Sequence, residues 1–309
     1  MRTYGRGYLL VLIAAAAFST SGLFIRWTVG SSCLTALSLA FWRDLATFLC
    51  LLLSLVLVRQ IWRRSEHLPS LHVERRDLPW LVGIGVMGIG LFHVLWNLTI
   101  LYLGYAVATV LLYSSPAFVT LMAWIFWREP LTRYKVAAIL LVLAGCVLVA
   151  GREEVAAIPI TAGGLLLGLV TAISCGMFTL LGRQVAPRYS PWTVLTYAFG
   201  VGALVLFPFQ FAGPAPPWPL PAAAWIWFAG LILLATIVPF GALLAGLRWL
   251  PASVASIVLA TEVALGAFMG YFFFGETLGP WQILGALLVT AGVSLIAAKA
   301  NGGQSTDPV

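Results

Sequence analysis

Charge is what this chain has least of. Asp, Glu, Lys and Arg make up 9% of its 309 residues, against roughly 25% in a soluble domain. Hydrophobic residues make up 61%, and mean hydropathy is +1.02. No soluble core can hide that much apolar surface, so the solvent must be largely lipid. The four cysteines, Cys33, Cys50, Cys146 and Cys175, each lie in or beside an apolar run and form no CxxC or Cys/His group. They read as small apolar residues, not as a disulfide framework or metal ligands. A P-loop, an HExxH, a GxSxG and a glycine-rich dinucleotide turn are all missing, so no ATP motor, cofactor, metal or recognisable catalytic set is expected. The net charge of +7 does not argue for nucleic acid, because the basic residues fall in short loops and tails and form no basic face.

What is present is a series of apolar runs. About 20 apolar residues cross the hydrocarbon core as a helix. The sequence yields ten such spans: 8–28, 34–61, 79–102, 105–127, 133–150, 161–182, 190–211, 222–247, 251–274 and 279–298. The first follows Arg2 and Arg6 like a signal peptide, but it is long and further spans follow, so it reads as an uncleaved helix. Pro116, Pro208 and Pro239 fall inside spans and should bend them. With the N-terminus inside, 14 of the 17 Lys and Arg lie on the inner side, Arg26 and Arg152 lie outside, and Arg43 sits within span 2. That bias places both termini in the cytoplasm and the chain in the plasma membrane. The polar tail 301–309 is expected to be disordered.

The chain repeats itself. A shift of 147 residues lays Leu103–Ala150 on Leu250–Ala297 without a gap, with 16 of 48 pairs identical, among them Glu129/Glu276 and Gly145/Gly292. A shift of 157 overlays span 1 on span 6. Residues 1–150 and 151–300 therefore form two five-helix repeats. Five is odd, so the halves cross the membrane in opposite directions. The expected architecture is all-α, with ten transmembrane helices as two inverted repeats. Many secondary transporters are built this way, with the substrate near the midplane.

The helix-end pattern WREPLTRYKVAAILLVLAGCVLV is echoed by FGETLGPWQILGALLVTAGVSLI. With the ten spans, the repeat and Pro116, it resembles the EamA-type members of the drug/metabolite transporter superfamily, over nearly the whole chain. The resemblance implies export of amino acids, drugs or other metabolites, and the family includes aromatic amino acid exporters of the YddG type. Many relatives have Glu-Pro where this chain has Glu262-Val263, which leaves the bend of span 9 open.

Ionisable groups at membrane depth are candidate functional groups. Glu262, about 11 residues into span 9, can serve as a proton site, as a binder of substrate amines, or as a neutral acid bonded between helices. Arg43 in span 2 can hold a substrate carboxylate or pair with Glu262 or Asp44. A structural salt bridge is the favoured reading, although adjacent residues point about 100° apart and do not easily share one target. His93, Trp96 and Asn97 lie on one face of span 3, suited either to a cavity or to a packed helix contact. Tyr113, Ser114 and Ser115 precede Pro116 at a helix break, where polar side chains often line a cavity; Tyr197 and Trp124 are weaker candidates. Glu129 and Glu276 should each cap the N-terminus of the next helix, on opposite membrane faces, and their family position allows a gating role. Gly164-x-x-x-Gly168 and Gly266-x-x-x-Gly270 suit close packing inside a monomer more than a dimer face, so a monomer or weak dimer is expected.

The leading expectation is a secondary exporter of small molecules working by alternating access, with protons as a candidate coupling ion. Spans 1, 3, 4, 6, 8 and 9 should line the cavity. A facilitative permease, a membrane-embedded enzyme and a non-transporting membrane subunit are the alternatives.

Overall fold

The computed structural model describes residues 2–32, 34–61, 71–150, 161–211, 221–275 and 278–302. Glu276, Cys33, Arg152 and the tail 303–309 lie outside the described residues. Among those described, helices are the only regular elements. We number the spanning helices α1 to α10. They are α1 (Arg2–Ser19, continued by Ser21–Ser32), α2 (Ala36–Ile61), α3 (78–103), α4 (105–127), α5 (Arg133–Val149), α6 (Ala162–Val185), α7 (Pro191–Leu206), α8 (222–246), α9 (Ala252–Leu259 and Thr261–Phe274) and α10 (Pro280–Gly302). Nine of these, as described, are long and apolar enough to cross a membrane. The tenth, α5, has 17 residues, about 26 Å at 1.5 Å per residue.

The inverted repeat is visible in one helix pair. A Cβ on Gly145 of α5 would stand 2.6 Å from the Gly285 carbonyl oxygen of α10, and one on Gly292 would stand 2.9 Å from that of Ala138. The 147-residue shift converts one contact into the other, as a two-fold axis requires. The paired numbers rise on one helix as they fall on the other, so α5 and α10 run antiparallel. Equivalent helices running antiparallel make the repeats inverted. Only glycine lets the two backbones approach so closely.

The bends also come in pairs. α4 breaks at Tyr113–Ser114, just before Pro116, and α9 breaks at Ala260, its equivalent under the same shift. The bend of span 9, left open by the missing proline, is therefore present. Without an imino acid to enforce it, the turn is closed by the Val263 N–H donating to the Ala260 carbonyl. α3 and α8 each contain a π-helical stretch, Ile84–Leu91 and Leu233–Ile237, again in register under the shift. The wider turn spares a carbonyl, and a serine of the opposite repeat takes it. Ser174 of α6 donates to the Met87 carbonyl, and Ser21 of α1 donates to that of Ala235 at 3.3 Å.

These bonds follow the packing. α1 packs against α8 and α9 of the second half, and α6 packs against α3 and α4 of the first. Gly164 and Gly168 of α6 lie against Leu103 and Leu111, so this motif packs within the monomer. Gly266 faces open space, which removes it as an internal packing contact.

Candidate functional site

Glu262 opens the second half of α9, in the first turn after the break at Ala260. It is the eleventh of the 23 residues from Ala252 to Phe274, hence near mid-depth. The α4 break brings the Tyr113 hydroxyl within hydrogen-bonding range of its carboxyl, and α6 supplies Cys175 beside it. Ser115 of α4 neighbours the Cys175 thiol. Glu262, Tyr113 and Cys175 are enclosed by protein, yet each keeps accessible surface, as groups lining an internal space do. Among the described residues, no salt bridge joins Glu262 to a Lys, Arg or His. Its first-turn position places it at the positive end of the half-helix dipole. Ser115 was expected beside the break with Tyr113 and Ser114, and a shift of 147 lays it on Glu262; Cys175 was missed, and nothing in the sequence marked it.

A second ionisable group joins α2 to α3. Asp44 is fully buried, and its Oδ2 lies 2.9 Å from His93 Nδ1. Arg43 Nε lies 3.5 Å from Asp44 Oδ1, and its Nη2 contacts His93 Nε2. A neutral ring satisfies all three groups, with Nδ1–H donating to Asp44 and Nε2 accepting from Arg43. Arg43 is the eighth residue of α2, about 10 Å from that helix end. The expected divergence of Arg43 and Asp44 is corrected. Both meet on His93, because the arginine is long enough to reach around the helix. No pairing of Arg43 with Glu262 is seen.

The other candidates divide. Asn97 donates from Nδ2 to the His93 carbonyl at 2.7 Å. Trp96 stacks on Phe92, with ring centroids 6.5 Å apart, and meets Tyr105 edge-on at 6.0 Å. Tyr105 itself is exposed, at 65%, so this aromatic pair lies at the surface of α3 and α4. The Ser114 hydroxyl donates to the Leu111 carbonyl. Trp124 is half exposed on the outer surface of α4. The Tyr197 hydroxyl donates to the Leu71 carbonyl at 2.9 Å, in the loop before α3. Neither joins the Glu262 group.

The membrane face that holds both termini is closed by cross-links. Glu129 accepts the Ala252 N–H at 3.0 Å, the Ser253 N–H at 3.4 Å and the Ser253 hydroxyl, with Lys135 Nζ 3.6 Å away. Glu129 was expected to cap the next helix, α5. Instead it caps α9, because Arg128 takes a left-handed turn (φ 53°) and swings the chain across, while Thr132 caps α5. Arg183 Nη1 donates to the Leu247 carbonyl at 2.6 Å, and Arg248 donates to those of Ala186 (2.8 Å) and Tyr189 (2.7 Å). These are cations on the negative ends of α6 and α8. Tyr189 also donates to Asp77. Desolvation, then this bond, hold the Tyr189 proton above a tyrosine's ordinary value, so the link persists through neutral pH. Beneath the clasps, Phe18 of α1 and Phe178 of α6 meet Phe240 of α8 at 4.7 and 4.8 Å, and Phe199 of α7 meets it at 5.3 Å. On the other face, the aromatic contacts of Trp27 stay within α1, α8 and α9.

The sequence profile of the EamA-like transporter family matches twice, over residues 5–151 and 162–298. The chain belongs to the EamA-like transporter family. It is thus a multi-pass membrane transporter, not an enzyme. "Uncharacterized inner membrane transporter YicL" of Salmonella typhimurium is 26% identical over 94% of this chain and 95% of that protein. "Pseudopaline exporter CntI" of Pseudomonas aeruginosa is 24% identical over 96% and 97%. "Probable terminal-alkyne amino-acid exporter" of Streptantibioticus cattleyicolor is 28% identical over 74% and 75%. A solved crystal structure superposes with a TM-score of 0.77 at 18% identity, covering 97% of this chain and 99% of the other; it shares the fold.

Proposed function

We propose that this EamA-like transporter is a secondary exporter of amino-acid-type metabolites with aromatic or hydrophobic side chains, working by alternating access in the plasma membrane. The observation that carries the reading is Glu262, an acid without a basic partner at mid-depth, set where the half-helices of α4 and α9 meet. It is the substrate and coupling group, exchanging substrate for a proton. Tyr113 and Cys175 are the titratable groups beside it. Tyr113, Ser114, Trp96 and Asn97 line the route to it. Arg43 and His93 hold α2 to α3 beside that route. The relatives named as exporters of pseudopaline and of an alkyne amino acid support the substrate class.

The Lys and Arg bias supports cytoplasmic termini. With that orientation the clasped face is the inner one. Glu129 is the inner gate. Repeat symmetry assigns Glu276, outside the described residues, the same role on the outer side.

Proteoliposomes holding the full chain test the reading. Uptake of labelled phenylalanine, leucine and tryptophan is measured with and without a pH gradient. Gradient-dependent uptake of at least one, lost in Glu262→Gln, is expected. Transport of none removes the amino acid reading. Gradient-independent transport, equal in Glu262→Gln at every pH, leaves a facilitative permease.

A further inference from the structure

We infer that the site recognises its cargo by a protonated amine and makes no use of a carboxylate, so that the preferred substrates are organic cations with an apolar body. The inference rests on the exporter reading, with Glu262 as the substrate group, and moves the preferred substrates from amino acids to amines without a free carboxylate.

The charge inventory of the spanning helices carries it. Arg43 and Asp44 neutralise each other through His93. Arg183 is held by the Leu247 carbonyl, and Lys135 lies beside Glu129. Arg26 lies over the Phe274 ring, 4.0 Å from its centroid, at the far end of α9. That leaves Glu262 as the one mid-depth acid, among the described residues, that no salt bridge joins to a cation. Its other neighbours are a hydroxyl and a thiol, from Tyr113 and Cys175. A charge at this depth is neutralised by a proton or by a bound counter-ion. An ammonium group supplies that counter-ion and three donors for the carboxylate and the Tyr113 oxygen. A carboxylate on the same ligand would enter a space that already holds an acid and offers no base, and like charges repel strongly where the dielectric is low. The Tyr113 ring beside Glu262 suits the apolar body of such a ligand, because ring faces attract both apolar groups and cations.

Three probes of one shape separate the charges: phenylalaninamide (cation only), phenylalanine (zwitterion) and N-acetylphenylalanine (anion only). Binding to the purified full-length protein in detergent is measured by calorimetry, and Cys175 alkylation is followed as an independent readout of site occupancy. Phenylalaninamide should bind about tenfold or more tighter than phenylalanine, as expected for one charge-assisted contact unopposed by repulsion. It should slow Cys175 alkylation, and N-acetylphenylalanine should do neither. Glu262→Gln should abolish amide binding, and Glu262→Asp should keep the rank order. Phenylalanine binding as tightly as the amide, or any binding of N-acetylphenylalanine, overturns the cation inference while the amino acid reading stands. If none of the three binds, both fall.

Discussion

Replacing Glu129 by Gln should convert a protein closed on its terminal face into one that opens there. The carboxylate accepts two N–H donors and one hydroxyl at the start of α9, beside a nearly buried Lys135. Hydrogen bonds to a charged group contribute about 1.5–3 kcal/mol each, against about 1 kcal/mol for neutral ones. The amide keeps one acceptor oxygen of similar shape, so part of the network survives. It loses the charge at the helix end, worth about 0.3–1 kcal/mol, and it leaves Lys135 without its counter-ion. A net loss of about 2 kcal/mol is a conservative figure, and it multiplies the open population by roughly 30. Ser256, one turn into α9 and buried, makes the reporter. In a background without native cysteines, Ser256→Cys is labelled with a membrane-impermeant maleimide in inside-out and right-side-out vesicles. Adding Glu129→Gln should raise the labelling rate from the terminal face by roughly 30-fold. It should lower labelling of Thr20→Cys from the opposite face. Unchanged rates at both reporters, in protein with an unaltered melting temperature, would refute the gate.

Three further outcomes follow from the packing. Gly145→Leu should lower thermal stability by 3 kcal/mol or more, roughly the upper end for overpacking, because even a Cβ would meet the Gly285 carbonyl at 2.6 Å. Gly266→Ala, facing open space, should be neutral or stabilising by about 0.5–1 kcal/mol; differential scanning fluorimetry of both checks the contrast. Asp44→Asn should cost about 3–5 kcal/mol and reduce folded yield, because it leaves Arg43 buried without its anion; the double replacement Arg43→Met with Asp44→Leu should recover much of that yield on size-exclusion chromatography, whereas equal yields would place the cluster outside the stability of α2 and α3.

Much of this fold was legible in the sequence because lipid imposes one strong rule. Every span must satisfy its backbone internally, so apolar length alone marks the helices. The Glu129/Glu276 and Gly145/Gly292 pairs exposed the repeat, since acids are scarce in such a chain. The irregularities were legible only where a residue enforces them. Pro116 announced the α4 break, whereas the equivalent break at Ala260 and the π-helical stretches of α3 and α8 arise from packing and have no local signature. The candidate site followed the same division. Glu262 stood out by its depth, and Tyr113 by the break. Cys175 reaches the site from α6, and the partner of Glu129 proved to be α9, more than 120 residues away. Single-sequence reasoning has no access to such pairings, and the assignment of Glu129 to the helix that follows it failed for that reason.

The bodies that move in such a transporter should differ from the sequence halves. α1 is tied to α8 by the Ser21 bond to Ala235 and packs on α9; α6 is tied to α3 by the Ser174 bond to Met87 and packs on α4. Each bond fills a vacancy in a π turn, so breaking either would strand a carbonyl in a low-dielectric interior. Rocking therefore keeps α1 with α8 and α9, and α6 with α3 and α4. While Tyr189 to Asp77 stays within the α6 and α3 body, three clasps on the terminal face join one group to the other: Glu129 to Ser253, Arg183 to Leu247 and Arg248 to Ala186. Those bonds end on helix termini near the membrane surface, where water can replace them, so they are the contacts that can open and close at modest cost. The exchange of α1 and α6 between halves puts stable bonds inside the bodies and replaceable ones between them. A disulfide between Ser21→Cys and Ala235→Cys should accordingly leave transport intact, while one between Glu129→Cys and Ser253→Cys should arrest it until reduced. Arrest by the first bridge, or transport through the second, would show that the halves move as the sequence divides them.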